Sequence, residues 1–100
     1  MKRGLKMIFT EVTKILVDDI EICKMVYQEN EQGQGIVYRN NKNLFEGYWY
    51  GAYKIYKSEI QRTSDIWTKN GNKVKIIKYL KGRNWNEIYS NVECRQPTKI

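Results

Sequence analysis

The chain has 100 residues, the usual size of one domain and enough for one modest core. Its 41% hydrophobic and 13% aromatic content excludes a disordered chain, which is poor in aromatics and β-branched residues. The net charge of +7 lies wholly in the second half: residues 1–50 carry seven basic and seven acidic groups, residues 51–100 eleven and four. Such asymmetry bears on partners rather than fold, and nucleic acid, an anionic membrane surface and an acidic protein face all match it.

The longest purely apolar runs, Met7-Ile8-Phe9 and Ile15-Leu16-Val17, fall far short of the ~18 residues of a membrane span. Lys2, Arg3 and Lys6 precede an apolar run in the manner of a signal peptide. That run stops at Thr10-Glu11, before the ~7–15 apolar residues secretion needs, so an intracellular, cytoplasmic protein is expected. Cys23 and Cys94 belong to no motif, and the chain has no His. No metal or cofactor is therefore expected. Two reduced thiols are the plainer reading, a structural disulfide the alternative.

In chain order, Met7 to Val17 and Ile20 to Gln28 are dense in β-branched residues, with Asp18-Asp19 between them as in a tight hairpin. Val12, Ile15, Leu16, Asp19 and Cys23 also fall near helical spacing, and Asp18-x-x-Glu21 resembles a capping signature. β-Branched content favours strands; the alternative is an α+β fold with an N-terminal helix on the sheet. Residues 29–35 read as a polar loop, 36–38 as a short strand and 40–43 as an Asn-rich turn. Leu44 to Tyr56 alternates and reads as one long strand, with Gly47 and Gly51 marking a bulge or close approach. Residues 57–65 are polar and ambiguous. Ile66–Thr68 and Val74–Leu80 flank Asn70-Gly71, the strongest short hairpin signal. A turn at 81–84 and a strand from Trp85 to Cys94 follow. Residues 1–6 and 95–100 are expected to fray. The predicted fold is one mainly β domain, a twisted antiparallel sheet of hairpins.

Two stretches resemble MORN repeats, which are short β-hairpin repeats. One is Gly33-Gln-Gly35, the Asn40-Asn41 turn and Phe45-Glu46-Gly47-Tyr48-Trp49; the other is Asn70-Gly71, Tyr79 and Gly82. The resemblance covers about a third of the chain and implies stacked hairpins that serve as a scaffold or contact proteins and lipids. Trp49 and Tyr79 stand further apart than the usual repeat period. The Lys-, Asn-, Ile- and Tyr-rich composition also resembles a small viral or phage reading frame, which would place the protein in a host cytoplasm.

Three constellations stand out. Lys69, Lys73, Lys75, Lys78, Lys81 and Arg83 lie on or beside the predicted 69–83 hairpin, where they could meet phosphates, with Trp67, Tyr79 and Trp85 near enough to stack on bases. Lys78 falls on the opposite strand face from Lys73 and Lys75, and the plain alternative is a solvated, Lys-protected edge. Tyr48, Trp49, Tyr50, Tyr53 and Tyr56 are too many rings for one strand face. Tyr48, Tyr50, Tyr53 and Tyr56 are thus candidate partner-binding residues. A homodimer is expected to bury at least two of Tyr48, Tyr50 and Tyr56. Asp18, Asp19 and Glu21 read as a turn, and Glu59, Arg62 and Asp65 could imitate a ribonuclease that works without His. No nucleophile elbow, phosphate loop or paired-Cys motif appears. The expected function is a non-enzymatic binding protein that engages a macromolecular partner, a protein or itself, through aromatic and basic surface; the alternatives are a nucleic-acid-binding module that uses the basic 69–83 hairpin and, third, a small nuclease without His.

Overall fold

The N-terminal hairpin forms around Asp18-Asp19. Both residues take positive φ, 49° and 69°, the type I′ geometry whose twist matches the strands it joins. Short polar side chains tolerate that region better than bulkier ones. The Asp18 carboxylate then accepts from Asn72 Nδ2 at 2.7 Å and from the Lys73 amide at 3.3 Å. The hairpin joins β1 (Met7–Val17) to β2 (Ile20–Asn30), so strands prevail over the helical alternative. The computed structural model describes residues 7–81 and 87–98.

At the end of β2, buried Asn30 organises the turn beyond it. Its Oδ1 accepts from the amides of Gln32 at 2.9 Å and Gln34 at 3.0 Å. β3 (Gly35–Arg39) turns through Asn40-Asn41, again at φ 49° and 69°, into the short β4 (Lys42–Asn43). After an irregular stretch come α1 (Ala52–Lys69), β5 (Val74–Lys81) and β6 (Glu87–Arg95). The six strands form one antiparallel sheet in the order β4-β3-β2-β1-β5-β6, with the helix on one face. The mainly β expectation holds.

Three local expectations are corrected. Residues 44–56 do not form a strand. Gly51 sits at φ 81°, and from Ala52 the buried positions Ala52, Tyr56, Ile60, Thr63 and Thr68 recur at helical intervals. The loop is tied to β3 by the Leu44 amide, which donates to Val37 O at 3.0 Å, and by the bridge between Gly35 and Trp49, two bonds of 2.9 Å. Asn70-Gly71 is not a hairpin turn. Gly71, at φ 91°, closes α1: its amide donates to Thr68 O at 3.1 Å, and the Asn72 amide donates to Trp67 O at 3.0 Å. This is the paired-bond ending that needs a left-handed residue after the helix cap. The MORN-like Asn70-Gly71–Tyr79 stretch therefore leaves α1 and enters β5 instead of forming a second hairpin. The chain after Arg95 does not fray at once. The Thr98 amide donates to Thr68 O at 2.9 Å, and Arg95 Nη1 donates to Gln61 at 3.0 Å.

The core lies between α1 and the sheet face it covers. Ile15 and Val17 of β1, Cys23 and Met25 of β2, Val37 of β3, and Val74 and Ile76 of β5 meet Ala52, Tyr56 and Ile60 of the helix. Each large side chain fully buried this way contributes about 1.5–3 kcal/mol. Gly35 is the tightest point. A Cβ there would overlap the Tyr27 ring, which cannot swing away because it packs against Tyr53 and Tyr56. Gly35→Ala is expected to destabilise the fold by about 1–3 kcal/mol, the cost of overpacking a tight site. Urea unfolding measures it; a loss below about 0.5 kcal/mol, the ordinary surface-substitution range, would show that the contact yields freely.

Candidate functional site

Register and strand alternation carry one set of side chains away from α1. They are Thr10, Val12, Lys14 and Leu16 on β1, Lys24, Val26 and Gln28 on β2, Ile36 and Tyr38 on β3, and Lys75, Ile77, Tyr79 and Lys81 on β5. Among the described residues no helix covers this face. Tyr79, Val12, Val26 and Tyr38 stand directly opposite one another across four strands. Three strand spacings separate the two tyrosines, about 14 Å. A depression of about 390 Å³ lies over this row, with Gln28, Lys24 and Lys81 on its border.

The charge on this face is almost all positive. Lys14 Nζ and Lys81 Nζ stand 5.9 and 5.7 Å from the centre of the Tyr79 ring, within range of a weak cation–π attraction. The carboxylates gather at the hairpin end, where Glu21 lies 3.9 Å from Lys14 and Asp19 lies 3.5 Å from Lys75. Exposed pairs of this kind contribute about 0–1 kcal/mol and yield readily to a stronger anion. Tyr48 borders the face near Tyr38: burial first, and Tyr38 second, push its hydroxyl above the usual tyrosine pKa.

The predicted site residues are dispersed. Lys75 and Lys81 reach the open face, whereas Lys78 points to the helix side, opposite Thr13. Lys69 ends α1 and Lys73 lies exposed before β5. Arg83 and Trp85 lie outside the described residues. The 69–83 hairpin is therefore not the basic surface, because helix and turn occupy its first strand. Lys14, Lys24 and Tyr38, absent from the predicted set, complete the open face. Their signal was the alternation of β1, β2 and β3, visible once those segments were read as strands.

The predicted aromatic partner surface is corrected as well. Tyr48 and Tyr50 are exposed in the loop, 38% and 69%. Tyr56 is fully buried and Tyr53 packs against the core. No strand face presents Tyr48, Tyr50 and Tyr56 together, so the proposed dimer patch loses its geometry.

Tyr53 and Tyr56 belong to a layer between helix and sheet. Ring centres lie 4.9 Å apart for Tyr27 and Tyr53, 5.5 Å for Tyr27 and Tyr56, and 5.7 Å for Tyr53 and Tyr56. Each hydroxyl has a polar partner. Tyr56 meets the Thr13 hydroxyl, Tyr53 donates to Glu11 Oε1 at 3.1 Å, and Tyr27 donates to Glu29 Oε1 at 2.8 Å. Glu59 holds Arg39 at 3.2 Å and Arg62 at 3.1 Å, while Asp65 accepts from Gln61 at 2.8 Å. Glu59, Arg62 and Asp65 thus serve helix surface pairing, and Glu59 fastens β3 to α1. Cys23 is buried, Cys94 is exposed, and both are free thiols, so no disulfide joins them. No group of three or more Cys, Asp or Glu side chains placed to hold a metal occurs among the described residues. No helix of the described residues is long and apolar enough to cross a membrane.

No family model, curated protein or solved structure matches the chain.

The tyrosine layer predicts an alkaline transition. Burial, then the Glu11 carboxylate, push the Tyr53 pKa up to about 12. Burial raises Tyr27 and Tyr56 further. In the unfolded chain these hydroxyls ionise near ~10. Their contribution is therefore complete below that pH and is lost as pH rises through the Tyr53 value. Tyrosinate absorbance is expected to show these three rings ionising only above the ordinary range, together with the loss of folded circular dichroism. Ionisation of all eight tyrosines near the model-peptide value, with the fold retained, would contradict the layer.

Proposed function

We propose that the chain is a non-enzymatic single-stranded nucleic-acid-binding protein whose ligand lies across the open sheet face. The observation that carries this reading is the cross-strand row Tyr79–Val12–Val26–Tyr38 with Lys14, Lys24, Lys75 and Lys81 around it. Single strands are held by stacking bases on aromatic rings while cations track the backbone. Rings at both ends of an apolar floor and ammonium groups on flexible stems supply those two parts. A duplex would need an element that enters a groove, whereas this face is broad and its depression shallow. The net charge of +7 favours association with any polyanion. The exposed Tyr48, Trp49 and Tyr50 support a second reading, in which that loop meets a protein partner or a second copy of the chain.

Fluorescence anisotropy with labelled oligo-dT and oligo-U tests the first reading. Affinity is expected to fall with salt, with a log–log slope of about −0.7 for each phosphate contacted. Tyr38→Ala and Tyr79→Ala should each weaken binding by about 5- to 150-fold, the equivalent of ~1–3 kcal/mol per stacked base. Lys24→Glu with Lys81→Glu should flatten the salt slope. Lys54→Glu with Lys69→Glu, the same charge change on the helix, should leave it nearly intact. Absence of binding at low salt, or equal loss in both double mutants, would remove the open face as the interface.

A further inference from the structure

The two borders of the sheet are unlike. At β4 the border is closed. That strand is only two residues long, and the loop after it lies against β3 through the Leu44 amide and the Gly35–Trp49 bridge. At β6 the border is open. β6 ends the strand order, and among the described residues no strand or loop backbone pairs with its outer side. Residues 91–94 are exposed, and Val92 keeps 59% of its surface accessible. The regular part of this edge is bounded at both ends. Leu80 pairs with Tyr89 but Lys81 pairs with Glu87, so Ile88 is an extra residue, a bulge that interrupts the ladder. At the other end β6 stops at Arg95, and Pro97 has no amide to donate. The usable edge is therefore 89–95, and its middle residue is Val92.

A bare edge presents a row of N–H and C=O groups that another strand can pair, and proteins guard such edges with Lys, Pro or inward charges. The 89–95 stretch has no Lys and no Pro, and its two charged residues, Glu93 and Arg95, pair with each other at 2.6 Å. The stretch is also complementary to itself. Antiparallel pairing of two copies over its full length sets Val92 opposite Val92, Asn91 opposite Glu93, Ser90 opposite Cys94 and Tyr89 opposite Arg95. No like charges face one another. Moving the symmetry axis one residue to Glu93 sets two carboxylates face to face. Moving it to Asn91 brings the Ile88 bulge into the ladder. Val92 stands opposite Ile77 of the open face, so its exposed side chain lies on the uncovered side, where its twin would shield it. Alternate residue pairs exchange two bonds each, so the pairing supplies about six to eight backbone hydrogen bonds, within the ~10 ± 5 of a typical interface.

We propose that a second copy of this chain pairs with β6 along 89–95, joining two six-stranded sheets into one across a two-fold axis at Val92. The axis is perpendicular to the sheet, so both helices lie on one side and both open faces on the other. Because the β4 border is closed, each chain offers one such edge among its described residues, and assembly stops at the dimer instead of running on as a fibre. The pairing does not rest on nucleic-acid binding, and its surface is separate from the exposed Tyr48–Tyr50 loop.

Sedimentation equilibrium of the full chain without nucleic acid, from micromolar to submillimolar concentration, tests this. Twice the chain mass is expected, with no larger species. Val92→Lys should weaken the dimer about tenfold, through the lost apolar contact and the like charges set opposite each other. Ile66→Lys, the same kind of change at an exposed position of α1, should leave it unchanged. The register has its own readout. In a Cys94→Ser background, Val92→Cys is expected to give a disulfide-linked dimer joined at position 92 on mild oxidation with copper–phenanthroline, and Ile66→Cys is not. A single-chain mass throughout the range, growth beyond the dimer, or equal crosslinking of the two cysteine variants would overturn the proposal. So would a dimer that survives Val92→Lys but is lost on Tyr48→Ser with Tyr50→Ser, which would belong to the aromatic loop.

Discussion

The structure depends on how the helix is fastened to the sheet. Tyr56 enters fully buried from α1 and bonds to Thr13 of the central strand β1. Tyr53, one turn earlier, reaches Glu11 on the same strand face, and Tyr27 of β2 fills the space between the rings. The three rings bring a large apolar area and polar tips that must find partners when buried. Those partners exist only on the face where β1 presents Glu11 and Thr13. The helix is thereby assigned to one side, and among the described residues no second layer covers the other side of the sheet.

That asymmetry explains how residues of ordinary character acquire a surface role. Val12 is only 4% exposed although no helix lies over it. Neighbouring residues on the open face, Val26 and Tyr79 directly opposite and Lys14 and Lys24 close by, shield it, and long lysine stems can lie along apolar surface while their charges stay in water. The arrangement also sets cations around two rings. On the helix side the same shortage of covering structure appears at β5 and β6. There Glu11 lies beside a half-open cleft, its Oε1 held by the Tyr53 hydroxyl.

The legible parts of the fold were those ruled by local chemistry. Asp18-Asp19 and Asn40-Asn41 turn the chain where short polar residues accept positive φ, and the flanking β-branched runs pair as their alternation requires. The helix was missed because Leu44 to Tyr56 alternates well enough to imitate a strand. The decisive signal lay further on, in Tyr56, Ile60, Ser64 and Thr68, each four residues apart, half of which are small and polar and so escape a hydrophobic pattern. Asn70-Gly71 misled for a related reason. A left-handed glycine serves a hairpin and a helix end equally, and only the preceding eighteen helical residues decide between them. Once a helix replaced the first strand of the expected hairpin, its lysines parted. Lys75 and Lys81 joined Lys14 and Lys24, which are far away in sequence, because β5 pairs with β1 across the long connection that holds α1. No local pattern encodes that pairing.

The central claim is that the uncovered face, and not the helix or the aromatic loop, is where a single strand lies. Photocrosslinking the protein to a thiouridine-containing oligonucleotide, followed by mass spectrometry of the adducted peptides, tests it most directly. The account predicts adducts at Tyr38 and Tyr79, on strands three positions apart in one row. Adducts confined to Tyr48, Trp49 and Tyr50, or to α1, would contradict it.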